Sequence, residues 1–259
     1  MPEVNVNGVQ LCYEEYGSGE PFILLHGLGG DHHMFENEIN ELKKSYWVIA
    51  LDSRGHGRSE KVPHYTLEDH VQDVIAFMDH LNIEKTSLLG ASMGSYIAQG
   101  VAVFSPERVK QLILVVAKAF GKTSSTVRLQ EEHADELKGL TEEEQMYALS
   151  KYIFHKPEMV GEWSQRVDVD VPVLTPEQQI AAQKALENFD FRPLLDRITA
   201  ETLVISGRYD GLNPPKDGRE VANLIPNARF VEFEHSGHAP SVEEPERYRQ
   251  VVTEFLNRS

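Results

Sequence analysis

Ser92, Asp210 and His238 are the residues whose types, order and settings could carry nucleophilic acyl chemistry. Ser92 is the centre of Gly90-Ala91-Ser92-Met93-Gly94, entered from a β-prone run at residues 86–89 and left by a helix-compatible stretch at 93–104. A serine at so sharp a strand-to-helix turn has a strained backbone, and side chains on its flanks would collide, which is the use of the two glycines. Such a Gly-x-Ser-x-Gly turn, a nucleophile elbow, lifts the hydroxyl above a sheet edge beside the positive end of a helix. Asp210 stands in Gly207-Arg208-Tyr209-Asp210-Gly211 and His238 in His235-Ser236-Gly237-His238-Ala239-Pro240, each just beyond a strand-like run. A serine hydroxyl is too weak an acid to attack a carbonyl unaided. An imidazole can take its proton and return it to the leaving group, while a carboxylate holds the needed tautomer and offsets the imidazolium charge.

Each piece alone is ambiguous. Gly-x-Ser-x-Gly occurs by chance in loops, and an aspartate after a strand is often a turn former. The order Ser…Asp…His, with all three at strand ends, is what joins them. The other place for an acid, after the strand at 111–117, holds Lys118-Ala119-Phe120-Gly121-Lys122-Thr123 and no carboxylate. Acyl chemistry also needs donors for a developing oxyanion. The backbone N–H of Met93, next to the nucleophile, is one candidate. Leu28 N–H in His26-Gly27-Leu28-Gly29-Gly30 is the other, and the Leu28 and Met93 side chains are left free to line a pocket.

The elements that must position these residues alternate. Residues 3–16 read as a hairpin turning at Asn7-Gly8. Continuous apolar runs at 21–26, 47–51, 86–89 and 111–117 read as strands buried on both faces. Helical patterns fall between them at 34–44, 67–81 and 93–104. This alternation predicts an α/β fold with a mostly parallel central sheet and helices on both faces. It stops at about Lys118. Residues 118–196 carry helix-prone segments at 126–140, 141–154 and 176–188, punctuated by Pro157, Pro172 and Pro176, with no convincing strand. They are expected to form a helical cap inserted into a core made of 1–117 and 197–259. The sheet resumes at 201–207, followed by a helix near 215–224, a strand at 229–234 and a last helix near 245–257.

Composition narrows the functional class. The chain has 259 residues, 41% hydrophobic and 25% charged, which suits one globular domain. A formal net charge of −16 supplies no basic stripe for phosphates, so no nucleic-acid partner is expected. The single cysteine, Cys12, forms no internal disulfide and fits a reducing compartment. The amino terminus has no basic and apolar leader pattern, and no run approaches eighteen apolar residues. A cytoplasmic protein with no membrane partner is the expectation; its oligomeric state is open. Gly121-Lys122-Thr123 echoes a phosphate-binding loop, but Val116 stands where its first glycine belongs. His26, His32 and His33 cluster without metal-ligand spacing, so no metal and no cofactor are expected. Asp52-Ser53-Arg54-Gly55-His56-Gly57 lacks the third glycine of a dinucleotide site and reads as a loop organised by Arg54 and its neighbours.

Five motifs in order resemble the α/β-hydrolase superfamily across essentially the whole chain. They are His26-Gly27-Leu28-Gly29-Gly30, the loop from Asp52 to Ser59, Gly90-Ala91-Ser92-Met93-Gly94, Gly207-Arg208-Tyr209-Asp210, and Gly237-His238-Ala239-Pro240 with Glu244-Pro245-Glu246. Within it the chain is similar to small capped serine hydrolases: carboxylesterases, enol-lactonases and hydrolases of ring-cleavage products. The resemblance implies Ser92, Asp210 and His238 as the catalytic triad, with an oxyanion hole at Leu28 and Met93. Ser92 stands where haloalkane dehalogenases carry aspartate, and Met93 where haloperoxidase relatives often carry tryptophan. Ala239 replaces a tryptophan common in carbon–carbon hydrolases, and Ser95 replaces a glycine that commonly follows the elbow. These departures favour a small-molecule ester or lactone as substrate. Carbon–carbon bond hydrolysis, or a slow-turnover ligand receptor of the same fold, are the alternatives. Phe120, Met146, Tyr147, Phe154, Trp163 and Phe189 are candidate cap residues for lining a pocket.

Overall fold

A computed structural model describes residues 1–167 and 173–258. Pro172, one of the expected breaks, lies outside them. An eight-stranded sheet runs in the order β1-β2-β4-β3-β5-β6-β9-β10. Its strands are β1 (Glu3–Val6), β2 (Val9–Gly17), β3 (Glu20–Leu25), β4 (Tyr46–Asp52), β5 (Thr86–Ala91), β6 (Val109–Val115), β9 (Glu201–Gly207) and β10 (Ala228–Phe233). β1 and β2 form the expected hairpin, and β2 pairs antiparallel with β4; from β4 to β10 every pairing is parallel. Phe22, Ile23, Leu24 and Leu25 are fully buried, as are Leu88, Leu89 and residues 112–114, because helices cover both faces.

Five helices do the covering: α1 (Glu36–Leu42), α2 (Leu67–His80), α3 (Met93–Phe104), α9 (Pro215–Leu224) and α11 (Pro245–Leu256). Ile23, Leu25, Leu88, Leu112, Leu114 and Val204 point to one face and meet Val71, Val74 and Phe77 of α2, Tyr96, Ile97 and Val101 of α3, and Val221 of α9. Phe22, Leu24, Leu89, Ile113, Leu203 and Ile205 point to the other and meet Ile39 and Leu42 of α1 and Val251, Val252 and Phe255 of α11. Successive strand residues thus serve opposite cores, the period-two geometry of a strand.

β3 lies between β4 and β5, so the chain goes one way from β3 and then returns to its other side. In open α/β sheets ligands bind beyond the carboxyl ends of the strands at such a reversal, here the ends of β3 and β5. The His26–Gly30 loop leaves β3 there, and Ser92 leaves β5.

Between β6 and β9 the chain builds α4 (Ser125–Glu132), α5 (Ala134–Leu137), α6 (Glu142–Ile153), α7 (Pro157–Val167) and α8 (Pro176–Lys184). Side chains close the first turns of α6 and α8: Thr141 with Glu144, and Thr175 with Gln178, each in a reciprocal box. Pro157, expected only as a break, is the first residue of α7, where its missing N–H costs nothing. Leu129, Leu137, Leu149 and Ile153 make a small core of their own. Two details depart from the expectation of helices alone. A two-residue pair, β7 (Phe120–Gly121) with β8 (Phe189–Asp190), ties the start of the insertion to its end. α8 stops four residues short of 188, and Asn188 at φ +56° swings the chain into β8. The helix expected at 34–44 is likewise shorter, because Asp31 caps a 3₁₀ turn at His32–Phe35 before α1 begins.

No helix among the described residues is long and apolar enough to cross a membrane. A cavity of about 300 Å³ lies between α1 and α11, lined by Glu38, Leu42, Ser241, Tyr248 and Val252 among others. Burial pushes the Glu38 carboxyl up to about 7, against the pull of its hydrogen bond with Tyr248. A carboxyl whose pKa rises on folding binds more protons in the native state between about pH 4 and 7, so stability falls as pH rises through that window. Glu38→Gln is therefore expected to flatten the slope and to be more stable than the parent at pH 8 by on the order of 2–3 kcal/mol. Urea unfolding at pH 5 and pH 8 checks this; a parent protein equally stable at both would contradict it.

Candidate active site

The turn at Ser92 is as sharp as the glycine spacing implies. Ser92 has φ +52° and ψ −116°, far from any regular conformation. A Cβ on Gly90 would run into the Gly94 carbonyl, and one on Gly94 into the Leu25 carbonyl. The elbow closes on itself and on the end of β3, and only glycine allows it. Ser92 N–H donates to Val115 O at 2.9 Å, which fixes the bend to β6. Ser95 uses its hydroxyl rather than crowding the helix: its Oγ donates to Ser92 O at 2.6 Å.

Asp210 lies three residues beyond β9, and His238 lies five beyond β10. The three side chains meet in one line. His238 Nε2 is 2.9 Å from Ser92 Oγ, and His238 Nδ1 is 2.7 Å from Asp210 Oδ2. The second oxygen, Asp210 Oδ1, accepts from the N–H groups of Leu212 and Asn213, both at 2.9 Å. With Asp210 buried, those bonds stabilise its charge and fix its plane. Nδ1–H then donates to Asp210 and Nε2 is left as an acceptor for the serine proton.

The His26–Gly30 loop stands against the serine: a Cβ on Gly27 would lie 3.5 Å from Ser92 Cβ. The N–H groups of Leu28 and Met93 have no acceptor among the described residues. The Leu28 side chain is half-buried and meets Tyr65 and the alanines of α8. The Met93 side chain is fully buried and belongs to the core on the α2–α3 face of the sheet. His26 fastens the loop. Its Nε2 accepts from Ser53 N–H at 2.9 Å and its Nδ1 bonds Gly27 O at 2.7 Å, while burial lowers its pKa and keeps it neutral.

A polar cluster that no motif announced lies beside Ser92 and Asp210. Asn213 Nδ2 donates to Tyr96 Oη and to Val116 O, both at 2.6 Å, and Ser125 Oγ donates to Asn213 Oδ1 at 2.7 Å. Val116 has φ +49°, an outlier for a β-branched residue, held by its N–H to Ile205 O at 2.7 Å. Tyr96 follows Ser92 by four residues, one helical turn, which was the available sign of its closeness. Of the candidate lining residues, Tyr147 is 83% exposed and Met146 48% exposed, so both face solvent on α6. Phe120 is also exposed, with the Arg192 guanidinium over its ring. Phe189 is buried and stacks on Tyr96 at 5.1 Å. Phe154 packs against the Leu129 core.

The loop from Asp52 to Ser59 is organised by Arg54, as expected, whose guanidinium makes a two-point bond to Asp73 of α2 at 2.7 Å each. Asp52 does as much. It accepts from His32 N, from His32 Nδ1 and from Arg58 N at 2.8–3.0 Å. Burial opposes its charge, but the His32 bond prevails and holds its pKa at about 2. Asp31, His32 and His33 bring three ligating atoms within 4.8 Å of one another. The His32 Nδ1 and His33 Nδ1 atoms are already bonded to Asp52 and Asp31, and Asp31 caps the 3₁₀ turn.

Comparisons with known proteins bear on the family of the chain as a whole. A model of the family described as "alpha/beta hydrolase fold" matches residues 20–245. 3-Oxoadipate enol-lactonase 2 of Acinetobacter baylyi is 30% identical, covering 96% of this chain and 94% of its own. The crystal structure of an enol-lactonase from Burkholderia xenovorans LB400 superposes with a TM-score of 0.81 at 29% identity, over 99% of this chain and 100% of that one. A thermophilic esterase from Thermogutta terrifontis gives 0.82 at 27% identity, over 100% and 99%. The chain therefore belongs to the α/β-hydrolase fold family of enzymes.

Proposed function

We propose that this protein is a serine hydrolase that cleaves a small carboxylic ester or lactone through an acyl-enzyme on Ser92. The observation that carries the reading is the unbroken path Ser92 Oγ–His238 Nε2, His238 Nδ1–Asp210 Oδ2, at 2.9 and 2.7 Å, beside the Leu28 and Met93 N–H groups, which have no acceptor among the described residues. Its likeness to enol-lactonases and an esterase supports the substrate class.

In this reading His238 Nε2 takes the Ser92 proton as Oγ attacks the carbonyl carbon. Negative charge then develops on the carbonyl oxygen, where the Leu28 and Met93 N–H groups donate to it. These donors stand ready, so no reorganisation is needed when the charge appears. The tetrahedral adduct collapses, and His238 returns the proton to the leaving alkoxide. With a lactone, the alcohol so released stays attached to the acyl group. A water, deprotonated by the same imidazole, then frees the acid and restores Ser92. Asp210 holds the imidazole in place and steadies the imidazolium. Residues 118–196 act as a cap over these strand ends, excluding water and selecting the substrate. Its helix α8, whose alanines meet Leu28 and Tyr65, is the part of the cap set against the oxyanion loop.

Ser92→Ala is expected to lower kcat for a p-nitrophenyl ester by about 10⁴–10⁶, with the protein still folded. Asp210→Asn, which keeps the shape but offers the wrong hydrogen-bonding pattern to His238, is expected to cost about 10³–10⁴. Steady-state hydrolysis of p-nitrophenyl acetate beside each parent measures both. Undiminished turnover by Ser92→Ala would overturn the assignment.

A further inference from the structure

The loop that carries His238 is not held by its own strand alone. Glu243, the last residue of a short helix α10 (Pro240–Glu243), is 2% exposed, and its carboxylate lies at the centre of four backbone donors. Oε2 accepts from Gly237 N at 2.8 Å and Ala239 N at 3.2 Å, the residues on either side of His238. Oε1 accepts from His155 N at 2.7 Å and Lys156 N at 2.8 Å, in the junction between α6 and α7. Two further bonds cross the same seam: His238 N–H donates to Ile153 O at 2.9 Å, and Lys156 Nζ to Glu243 O at 2.6 Å. Burying a carboxylate is costly unless every lone pair has a donor, and here all four bonds go to rigid backbone rather than to mobile side chains. The next residue, Glu244, holds the front of the same loop, accepting from His235 N and Ser236 Oγ at 2.9 and 2.7 Å.

We propose that Glu243 is a positioning residue, joining the His238 loop to the α6–α7 junction of the cap so that imidazole and cap move as one body. One oxygen serves the base and the other serves the cap. This rests on the hydrolase reading, in which His238 must accept the Ser92 proton. The joint also locates cap motion: residues 153–156 are fixed to the core, and any opening must bend elsewhere in 118–196.

Glu243→Gln tests it. An amide has one accepting oxygen, and its NH₂ faces two N–H donors whichever way it turns, so either the His238 loop or the cap junction is released. The expected result is a fall in kcat of about 10–100-fold with KM changed less than about threefold, because displacement of a reacting group by about 1 Å costs that much. The far-downfield proton of the His238 Nδ1–H···Asp210 bond should also shift or broaden in the NMR spectrum. Glu136→Gln serves as the comparison: it removes the charge that Lys151 meets and one of the two oxygens that accept from Lys151 and Tyr152, without touching the seam, and should leave kcat and the resonance unchanged. A folded Glu243→Gln protein with parental kcat and an unmoved resonance would overturn the proposal. Should that variant not fold, amide exchange in the parent protein decides. The N–H groups of Gly237, Ala239, His155 and Lys156 are expected to exchange slowly and at one common rate, and fast exchange at 155 and 156 alone would refute the joint. The exchange result does not depend on turnover. Failure of the hydrolase reading shows itself separately, as Ser92→Ala retaining full activity.

Discussion

The backbone of Ser92, at φ +52° and ψ −116°, is the constraint on which the rest of the molecule turns. A non-glycine residue held there costs of order 1–3 kcal/mol, and it persists only where its surroundings over-determine it. They do. The Gly94 carbonyl fills the space beside Gly90, the Leu25 carbonyl fills the space beside Gly94, and Val115 O holds the Ser92 N–H. Three parallel strands, β3, β5 and β6, therefore meet at one hydroxyl. Their register places the end of β3 and its glycine loop on one side, and the chain leaving β6 on the other. A surface loop could not hold that bend; a strand buried on both faces can.

Around this point several charged groups are buried with partners. Asp52 with His32, Arg54 with Asp73, and Asp210 with the N–H groups of Leu212 and Asn213 are buried charged groups, each met by hydrogen bonds of 2.7–2.9 Å. None is placed to strengthen the hydrophobic core. Each pins a loop at the carboxyl ends of the strands: the one after β4, the one after β9, and through Glu243 the one after β10. Such loops are where a parallel sheet presents its chemistry, and they are the parts a hydrophobic core leaves free. Buried ionic bonds do for them what packing does for the strands. The same pattern explains the neutral histidines. His26 and His56 lie 5.3 Å apart beside the His26–Gly30 loop; burial lowers the pKa of His26 and drives His56 down to about 3, so both are neutral and bond through Nδ1 to backbone oxygens, His26 to Gly27 O and His56 to Arg54 O.

The sheet was legible because its strands are apolar runs that no solvent face interrupts, and the elbow because two glycines bracket a serine between a strand and a helix. Ser92, Asp210 and His238 could be paired from their order alone, since each lies in the loop that follows a strand. What stayed hidden depends on contacts distant in sequence. β7 and β8 are two residues each, too short for any period, and exist because they find each other 70 residues apart. Pro157 read as a break because proline ends helices more visibly than it begins them. Tyr147 and Met146 were candidate pocket residues by type, but hydrophobic side chains on a small helical insertion need not face inward, and these do not. Glu243 was invisible for a different reason. A glutamate in a Glu-Glu-Pro run reads as a solvated helix start, and only folding shows that its four donors come from segments some 80 residues apart.

The central claim is that one strained hydroxyl is the nucleophile, and trapping it is the most direct measurement. The protein is treated with a fluorophosphonate, digested, and the adduct mapped by tandem mass spectrometry. The account predicts a single stoichiometric label on the peptide carrying Ser92, lost in Ser92→Ala. A label on another residue, or none on a folded protein, would contradict it.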